Sequence, residues 1–349
     1  MTEVDAIVVG GGVAGCASAL ELLDAGWRVE MLHHADDTCA FESLSPEAVR
    51  QLDSLSIRMG SPFNEVVAWW GTEYEAQANH RGARVVQRSA LAAALRARTT
   101  ERGAKILVIE KILALNRLSD GWGIEYELPD GGRCRSVAKY IVDGTGRVSI
   151  IGRRLGAQRV IIDELFCVSS ALDEPDLVGT WTESTPDGWW NLCCDREAGT
   201  LCFFSNAVTI RKAKQDILDR FYRTQHLKRL VPALKLVSSH IRACGSSYVL
   251  PSAGSGWICV GDAVSTLQPL ASAGVLKALR DARLVLRGLE RDSADYDRLQ
   301  RSEFRLYAQA LAGQYALERR WFDSKFWAPR ATVDLLQLET PGVNAWRSQ

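Results

Sequence analysis

The first strong pattern in the chain is a tight apolar run, Ala6 to Val9, that breaks into Gly10-Gly11-Gly12 and continues into alanines and leucines as far as Asp24. A run this short before a glycine turn reads as a buried strand, and the stretch after the turn as a helix that Gly26 ends. Arg28 to Leu32 then reads as a second strand, closing at His33-His34, so the chain opens as a βαβ unit. Ser45 can cap a helix that begins at Pro46. Phe63 to Trp70 and Gly82 to Val86 are extended and aromatic, as strands of a second sheet would be. Arg88 opens an alanine- and leucine-rich helix to about Arg98, and Lys105 to Ile109 returns as a strand. From Ile112 to Val142, turn signals at Ser119-Asp120-Gly121 and Pro129-Asp130-Gly131-Gly132 predict a three-stranded meander.

Between residues 160 and 210 the pattern changes to short alternating segments that are poor in helix formers. Strands are predicted near Phe166–Leu172, Leu177–Glu183, Gly188–Cys194 and Thr200–Asn206, forming an antiparallel sheet inserted between the halves of a nucleotide domain. Helices follow at about Arg211–Thr224 and His226–Leu230, the second stopped by Pro232, and then strands at Val237–Ala243 and Tyr248–Leu250. Gly256 to Val260 reads as another buried strand and Val275 onward as a long helix. Beyond it, Tyr296, Leu299, Tyr307, Leu311 and Tyr315 recur at nearly helical spacing. The expected fold is α/β: a Rossmann-like nucleotide-binding domain (1–60, 86–160 and 240–290), a β-sheet substrate domain (61–85 and 161–239) and C-terminal helices (291–349). The inserted sheet would wall the substrate site.

Composition narrows the function classes. The 349 residues are 47% hydrophobic, enough for a large core, and Lys+Arg balances Asp+Glu at 42 each. A neutral chain has no global field for nucleic acid or an anionic membrane. The sequence starts directly in a strand, and no run of about 18 apolar residues could span a bilayer, so a cytoplasmic protein is expected. Nine cysteines, Cys39 among them, include no C-x-x-C pair and suit reduced thiols. Cys193-Cys194 could be a redox pair, but neighbours on a strand point to opposite faces. Trp189 and Trp190 should likewise face opposite sides; core packing is the ordinary explanation, and one pocket-facing indole the functional one.

Gly10, Gly12 and Gly15 make a G-x-G-x-x-G after a strand. Gly10 permits the turn, Gly12 admits a pyrophosphate, and Gly15 allows close packing of helix on strand, with the helix amides holding the phosphate charge. At the end of the second strand a carboxylate usually takes the ribose; here His33 stands there, while Glu30 should face away. Histidine can hydrogen-bond a ribose, or both histidines can be solvated loop residues. Asp143-Gly144-Thr145-Gly146-Arg147 puts small residues where backbone passes something bulky, or is an ordinary strand-to-helix turn. Gly261-Asp262-Ala263 ends a buried strand with a carboxylate that can reach a polyol, and amides near Gly274 would face a ring bearing partial negative charge.

In order and spacing, Gly10 to Gly15, Arg88, the D-G-T-G-R stretch, Gly261-Asp262-Ala263 and Pro269-Leu270 through Gly274 resemble the FAD-dependent monooxygenases of the para-hydroxybenzoate hydroxylase fold. Glu42-Ser43-Leu44, Asp187-Gly188-Trp189-Trp190 and Arg319-Arg320-Trp321 to Phe326-Trp327 are similar to the branch of tryptophan halogenases and flavoproteins that mature quinone-cofactor enzymes. The resemblance implies FAD held by Gly10, Gly12, Val13, Ala14, Gly15, His33, Ser43, Arg88, Gly144, Gly261, Asp262, Pro269, Gly274 and Val275. It implies Glu42 as an acid/base or positioning group beside the ring, Trp189 and Trp190 at the substrate pocket, and no metal. A first-turn carboxylate near a helix start is the plain alternative for Glu42. Three departures, His33 for an acidic residue, Phe41 before Glu42 and Gln268 before Pro269, predict looser FAD binding.

The implied reaction reduces FAD with electrons from NAD(P)H, directly or through a flavin reductase. Oxygen then gives a flavin C4a-hydroperoxide that hydroxylates an aromatic, indole-like group on a small molecule or on a protein or carrier. No side-chain nucleophile is required, in keeping with five histidines and no triad pattern. Halogenation is disfavoured: W-x-W-x-I-P is missing, and no lysine lies between His34 and Asn79. A non-catalytic FAD-binding partner and a reductase or oxidase of the same fold are the other readings. Trp321, Phe322, Phe326 and Trp327 gather where they would leave an apolar patch for a partner.

Overall fold

A computed structural model describes residues 3–35, 40–72 and 74–331. Cys39 lies outside the described residues. The chain opens with β1 (Glu3–Val9), α1 (Val13–Asp24) and β2 (Val29–His33). There follow β3 (Phe41–Leu44), α2 (Pro46–Ser54), β4 (Ser61–Trp69), β5 (Ala76–Gln87), α3 (Arg88–Glu101) and β6 (Lys105–Val108). The meander is β7 (Lys111–Leu118), β8 (Gly121–Glu127) and β9 (Arg133–Asp143). After the short α4 (Ile150–Arg154) and β10 (Gln158–Ile161) come β11 (Phe166–Asp173), β12 (Gly179–Thr185), β13 (Gly188–Cys194) and β14 (Ala198–Ser205). Three short helices, α5 (Ala207–Ala213), α6 (Ile217–Phe221) and α7 (Leu227–Leu230), lead to β15 (Leu236–Ala243), β16 (Ser247–Leu250), β17 (Ala253–Gly254), β18 (Trp257–Cys259) and β19 (Ser265–Thr266). The last described helices are α8 (Gly274–Ala282), α9 (Val285–Glu290) and α10 (Ser293–Ala316).

The first sheet runs β17-β18-β9-β1-β2-β6, with β8 and β7 continuing from β9. Its centre is parallel, β1 pairing with both β2 and β9, and the apolar run Ala6–Val9 is buried there with α1 and α8 packed above it. Burial on both faces explains why β1 reads as continuous rather than alternating hydrophobicity. The second sheet runs β15-β11-β14-β13-β12-β4-β5-β3. It is mixed rather than purely antiparallel, because β12 pairs with β4 in parallel. A small third sheet is β10-β16-β19.

Two helix expectations change. The helix expected over Arg211–Thr224 is α5 and α6, and it starts earlier because the Asn206 side chain caps it by accepting from the Thr209 amide. The long helix from Val275 is divided into α8 and α9, its last turn tightened where the Leu284 amide bonds the Asp281 carbonyl. The apolar C-terminal cluster is also largely internal. Phe326 and Trp327 are each 1% exposed, packed on Trp70 and Tyr315, while Phe322 remains 74% exposed. The expected partner patch is therefore consumed by the chain's own core, which seals α10 to the second sheet.

Candidate functional site

The two glycine turns meet. A Cβ on Gly261 would lie 2.5 Å from that of Ala14, and one on Gly10 would lie 2.2 Å from the Gly144 carbonyl oxygen. Gly10 has φ +111°, a conformation open to glycine and costly for other residues. A Cβ on Gly15 would sit 1.9 Å from the Gly10 oxygen, and one on Gly144 would lie 3.0 Å from the Gly15 Cα. Gly10, Gly15 and Gly144 are thus small because backbone packs on backbone. Gly12 differs: it is exposed, and nothing lies within 4 Å of the position its Cβ would occupy. It begins α1 with no side-chain cap and no acid in the first turn, so the Val13 and Ala14 end of the helix presents amides to open space. Gly274 repeats the arrangement at the start of α8, before the buried Val275.

The D-G-T-G-R turn builds itself. Buried Asp143 accepts from the Thr145, Ile151 and Gly152 amides, each at 2.9 Å, and from the Thr145 hydroxyl at 2.6 Å. Its burial raises the carboxyl pKa against those bonds. Arg147 donates to the Gly245 carbonyl at 2.7 Å. The Gly261 turn is pinned from α8, where buried Asp281 accepts from the Gly261 amide at 2.8 Å and Lys277 donates to the Gly261 carbonyl at 3.0 Å. That leaves the half-buried Asp262 carboxylate without a side-chain hydrogen bond among the described residues. Uncapped helix starts, an open Gly12 and a disengaged carboxylate fit an elongated dinucleotide such as FAD.

His33 stands beside the first turn, its Cβ 2.9 Å from where a Gly11 Cβ would be. Its Nδ1 lies 2.7 Å from the His34 carbonyl, which can only accept, so Nδ1 carries the proton. Burial lowers the ring's pKa and nearby Arg96 adds to this, so the neutral ring offers Nε2 as an acceptor. A ribose hydroxyl can donate to it as it would to a carboxylate. Arg96 itself donates to the Gly11 carbonyl at 3.1 Å. It is a member of this site that the motif reading missed, though it lies eight residues after Arg88 on the same helix. Glu30 is buried and turned away, held by Lys105 at 2.8 Å and by Ser136.

At the other end, Glu42 pairs with Arg88 at 3.0 Å across β3 and the start of α3. Ser43 and Ser272 share a hydrogen bond at 3.0 Å, bringing β3 to the loop that follows Pro269. Gln268, before that loop, does not face outward. It is buried, with its amide nitrogen on Asp163 and its oxygen accepting from the Tyr315 hydroxyl at 2.8 Å. Tyr315 accepts in turn from Trp189 Nε1 at 3.1 Å.

Trp189 and Trp190 do face opposite sides, but neither lines an open pocket, since each is 1% exposed. Trp189 stacks on Phe204 at 3.8 Å and packs among Trp70, Tyr315 and Leu270; Trp190 packs on Phe203 and Phe221 beneath the short helices. The sheet face shared with Trp189, turned toward Leu270, carries instead a transverse row set by the strand register: Ala68, Thr182, Asn191, Cys202 and Ser169. All five are half-buried. Asn191 donates to Thr180 Oγ1 at 3.0 Å and to the Trp181 carbonyl and Thr182 Oγ1 at 3.2 Å each. The carbonyl fixes the amide orientation and leaves Oδ1 as an unused acceptor. Alternation from Trp189 would have found this row, had the indoles not drawn attention first.

The fold is that of flavin-dependent halogenases and hydroxylases, and its glycine turns carry the sequence signature of an FAD-dependent oxidoreductase. The model of the glucose inhibited division protein A family matches residues 5–55, from β1 through α2. Over nearly its whole length the chain is similar to LodB of Marinomonas mediterranea, named an FAD-dependent oxidoreductase: 27% identity over 371 residues, covering 97% of this chain and 99% of that one. Among solved structures, the flavin-dependent brominase Bmp2 superposes with TM-score 0.79 at 18% identity, covering 93% of this chain and 89% of that one. The peptidyl tryptophan dihydroxylase QhpG, essential for tryptophylquinone cofactor biogenesis, superposes with TM-score 0.77 at 20% identity, covering 95% and 79%.

Proposed function

We propose that the chain is an FAD-dependent monooxygenase that hydroxylates an electron-rich aromatic group, of the indole or tryptophan kind, free or carried on a protein. The observation that carries this reading is the half-buried row on the sheet face turned toward the Pro269 loop, where Asn191 keeps one acceptor free amid small and apolar neighbours. An indole N–H can donate to Asn191 Oδ1 while the ring lies over Ala68 and Cys202. Bound FAD supplies activation of O2 and one oxygen atom, with electrons from NAD(P)H directly or through a flavin reductase. The chain's part is to hold the phosphates at Gly12, Val13 and Ala14, receive the polyol at Asp262, and place Glu42, anchored by Arg88, at the ring's end of the site. The likeness to QhpG, a peptidyl tryptophan dihydroxylase, supports this substrate class. Halogenation has less support, since the sequence lacks W-x-W-x-I-P and a lysine between His34 and Asn79.

The test is to identify the released chromophore, then supply the reduced protein with O2 and with indoles or tryptophan-containing peptides. A mass gain of one oxygen atom, lost or slowed in Asn191→Leu while flavin content holds, is the expected result. Chlorine or bromine addition when halide is present, or hydride transfer with no oxygen gained, would overturn the hydroxylase reading in favour of a halogenase or a reductase.

A further inference from the structure

Three thiols meet on the sheet face that carries the half-buried row. Cys244 Sγ lies 3.2 Å from Cys167 Sγ, and Cys167 in turn hydrogen-bonds Cys202. The strand register explains the convergence. Cys167 lies opposite Phe204 and Arg242, so Cys202 and Cys244 are its diagonal neighbours on either side. All three therefore share one face, whereas Cys193 and Cys194 divide between two. Cys167 and Cys244 are buried, and Cys202 is half-buried beside Asn191. The hydrogen bond from Cys167, with the Arg242 charge nearby, favours the thiolate at Cys202. Among the described residues no group of three His, Cys, Asp or Glu is arranged to hold a metal ion. The cluster is graded instead: one half-buried cysteine whose thiolate is favoured, one central partner between the other two, and one buried terminus.

We propose that Cys202, Cys167 and Cys244 form a thiol relay that reduces hydrogen peroxide arising at the substrate face and stores the oxidation as a Cys167–Cys244 disulfide. The Cys202 thiolate attacks one peroxide oxygen, the O–O bond breaks, and Cys202 sulfenic acid and hydroxide form. The Cys167 thiol then displaces the sulfenic oxygen as water, giving a Cys167–Cys202 disulfide. Cys244 attacks the Cys167 sulfur, Cys202 leaves as the thiolate and takes up the Cys244 proton, and the Cys167–Cys244 bond is made. In sum, two thiols and one H2O2 give one disulfide and two waters. The sulfurs of the final pair need to approach by about 1.2 Å to reach bonding distance, within the reach of side-chain rotation. On the proposed flavin reading the site has a use, since a reduced flavin that met O2 without substrate would supply the peroxide.

The experiment needs no turnover. The purified protein, reduced and freed of reductant, is titrated with hydrogen peroxide, its remaining thiols are alkylated, and the peptides are mapped by mass spectrometry. Consumption of one peroxide per chain, a Cys167–Cys244 disulfide and a still alkylatable Cys202 are expected. Cys244→Ser should stop at the Cys167–Cys202 disulfide, and Cys167→Ser should leave Cys202 as a sulfenic acid that dimedone traps. Cys202→Ser should slow disulfide formation at least tenfold. The relay is overturned if all three thiols stay alkylatable, if the disulfide joins other cysteines, or if Cys202→Ser oxidises as fast as the parent protein.

Discussion

Gly12 and Gly15 belong to one motif, yet the structure assigns them different physics, and alanine at each separates ligand binding from folding. At Gly12 the backbone has φ −82°, which alanine adopts freely, and the added methyl meets no protein atom within 4 Å. The apo-protein should lose only the modest preference of a helix start for glycine over alanine, about 1 kcal/mol at most. The same methyl would occupy the space where phosphate oxygens must approach the α1 amides. Displacing the phosphate from two such charge-assisted bonds, each worth about 1.5–3 kcal/mol, removes about 3–6 kcal/mol. At about 1.4 kcal/mol per factor of ten, FAD affinity falls about 10²- to 10⁴-fold. At Gly15 the methyl would stand 1.9 Å from the Gly10 oxygen, so strand and helix must separate. Overpacking of that kind reaches about 3 kcal/mol and takes the apo fold with it. Denaturant unfolding of the two apo variants, with FAD affinity by fluorescence quenching, measures both quantities. If Gly12→Ala bound FAD like the parent, or lost as much apo stability as Gly15→Ala, the cradle would be misassigned.

The same geometry sets three further outcomes. Asp262→Ala removes no side-chain hydrogen bond, only a charge near Arg159, so apo stability should fall by about 1 kcal/mol at most, while flavin content in the purified protein collapses; retained flavin would remove Asp262 from the site. His33 has a lowered pKa, so in the folded state it stays neutral below the point at which the unfolded chain takes up its proton. Its contribution to stability is therefore lost as pH falls below about 6.5, and once Nε2 is protonated the acceptor for the ribose disappears too. FAD affinity should drop on acidification across that range and stay flat in His33→Glu; parallel profiles would refute the assignment. Tyr315→Phe leaves Trp189 Nε1 and Gln268 Oε1 buried without partners at about 1–3 kcal/mol each, so calorimetry of the apo-protein should show a loss of about 2–6 kcal/mol, and a change under about 0.5 kcal/mol would mean that the bridge does not bear on the fold.

What the sequence disclosed depended on the range of the forces involved. The βαβ unit, the meander and strand β13 were legible because period, turn residues and burial agree locally, and Gly10, Gly15 and Gly144 because backbone packs so closely there that a Cβ does not fit. The half-buried row was hidden, since it is made by cross-strand register: Asn191, Cys202 and Ser169 become neighbours only when β13, β14 and β11 align. Arg96 was hidden for a related reason, as an arginine within an amphipathic helix carries no mark of what it faces. The tryptophan doublet misled in the opposite direction. Its alternation was legible, but the surface that covers Trp189 comes from α10, more than a hundred positions away, while Trp190 is covered by Phe221 of the short helices.

That long-range covering also changes the meaning of Gln268. The glutamine turns inward and ties the loop before Pro269 to Asp163 and to Tyr315 on α10, while Tyr315 holds Trp189 on the second sheet. Tyr307, also on α10, accepts from the Gln268 amide at 2.6 Å. An aspartate there has no donor to offer Asp163 and would bury a second negative charge beside it. The glutamine is therefore a brace between three parts of the chain. Placing the loop then depends on α10 being docked, and so does the Gly261 turn, since Gln300 of α10 donates to Asp281 at 2.9 Å and the Tyr296 hydroxyl donates to the Cys259 carbonyl at 2.6 Å. A disturbance of the C-terminal helix should therefore reach the flavin site through Gln268 and the Gly261 turn before it reaches the Gly10 turn, which packs on the turn that Asp143 holds.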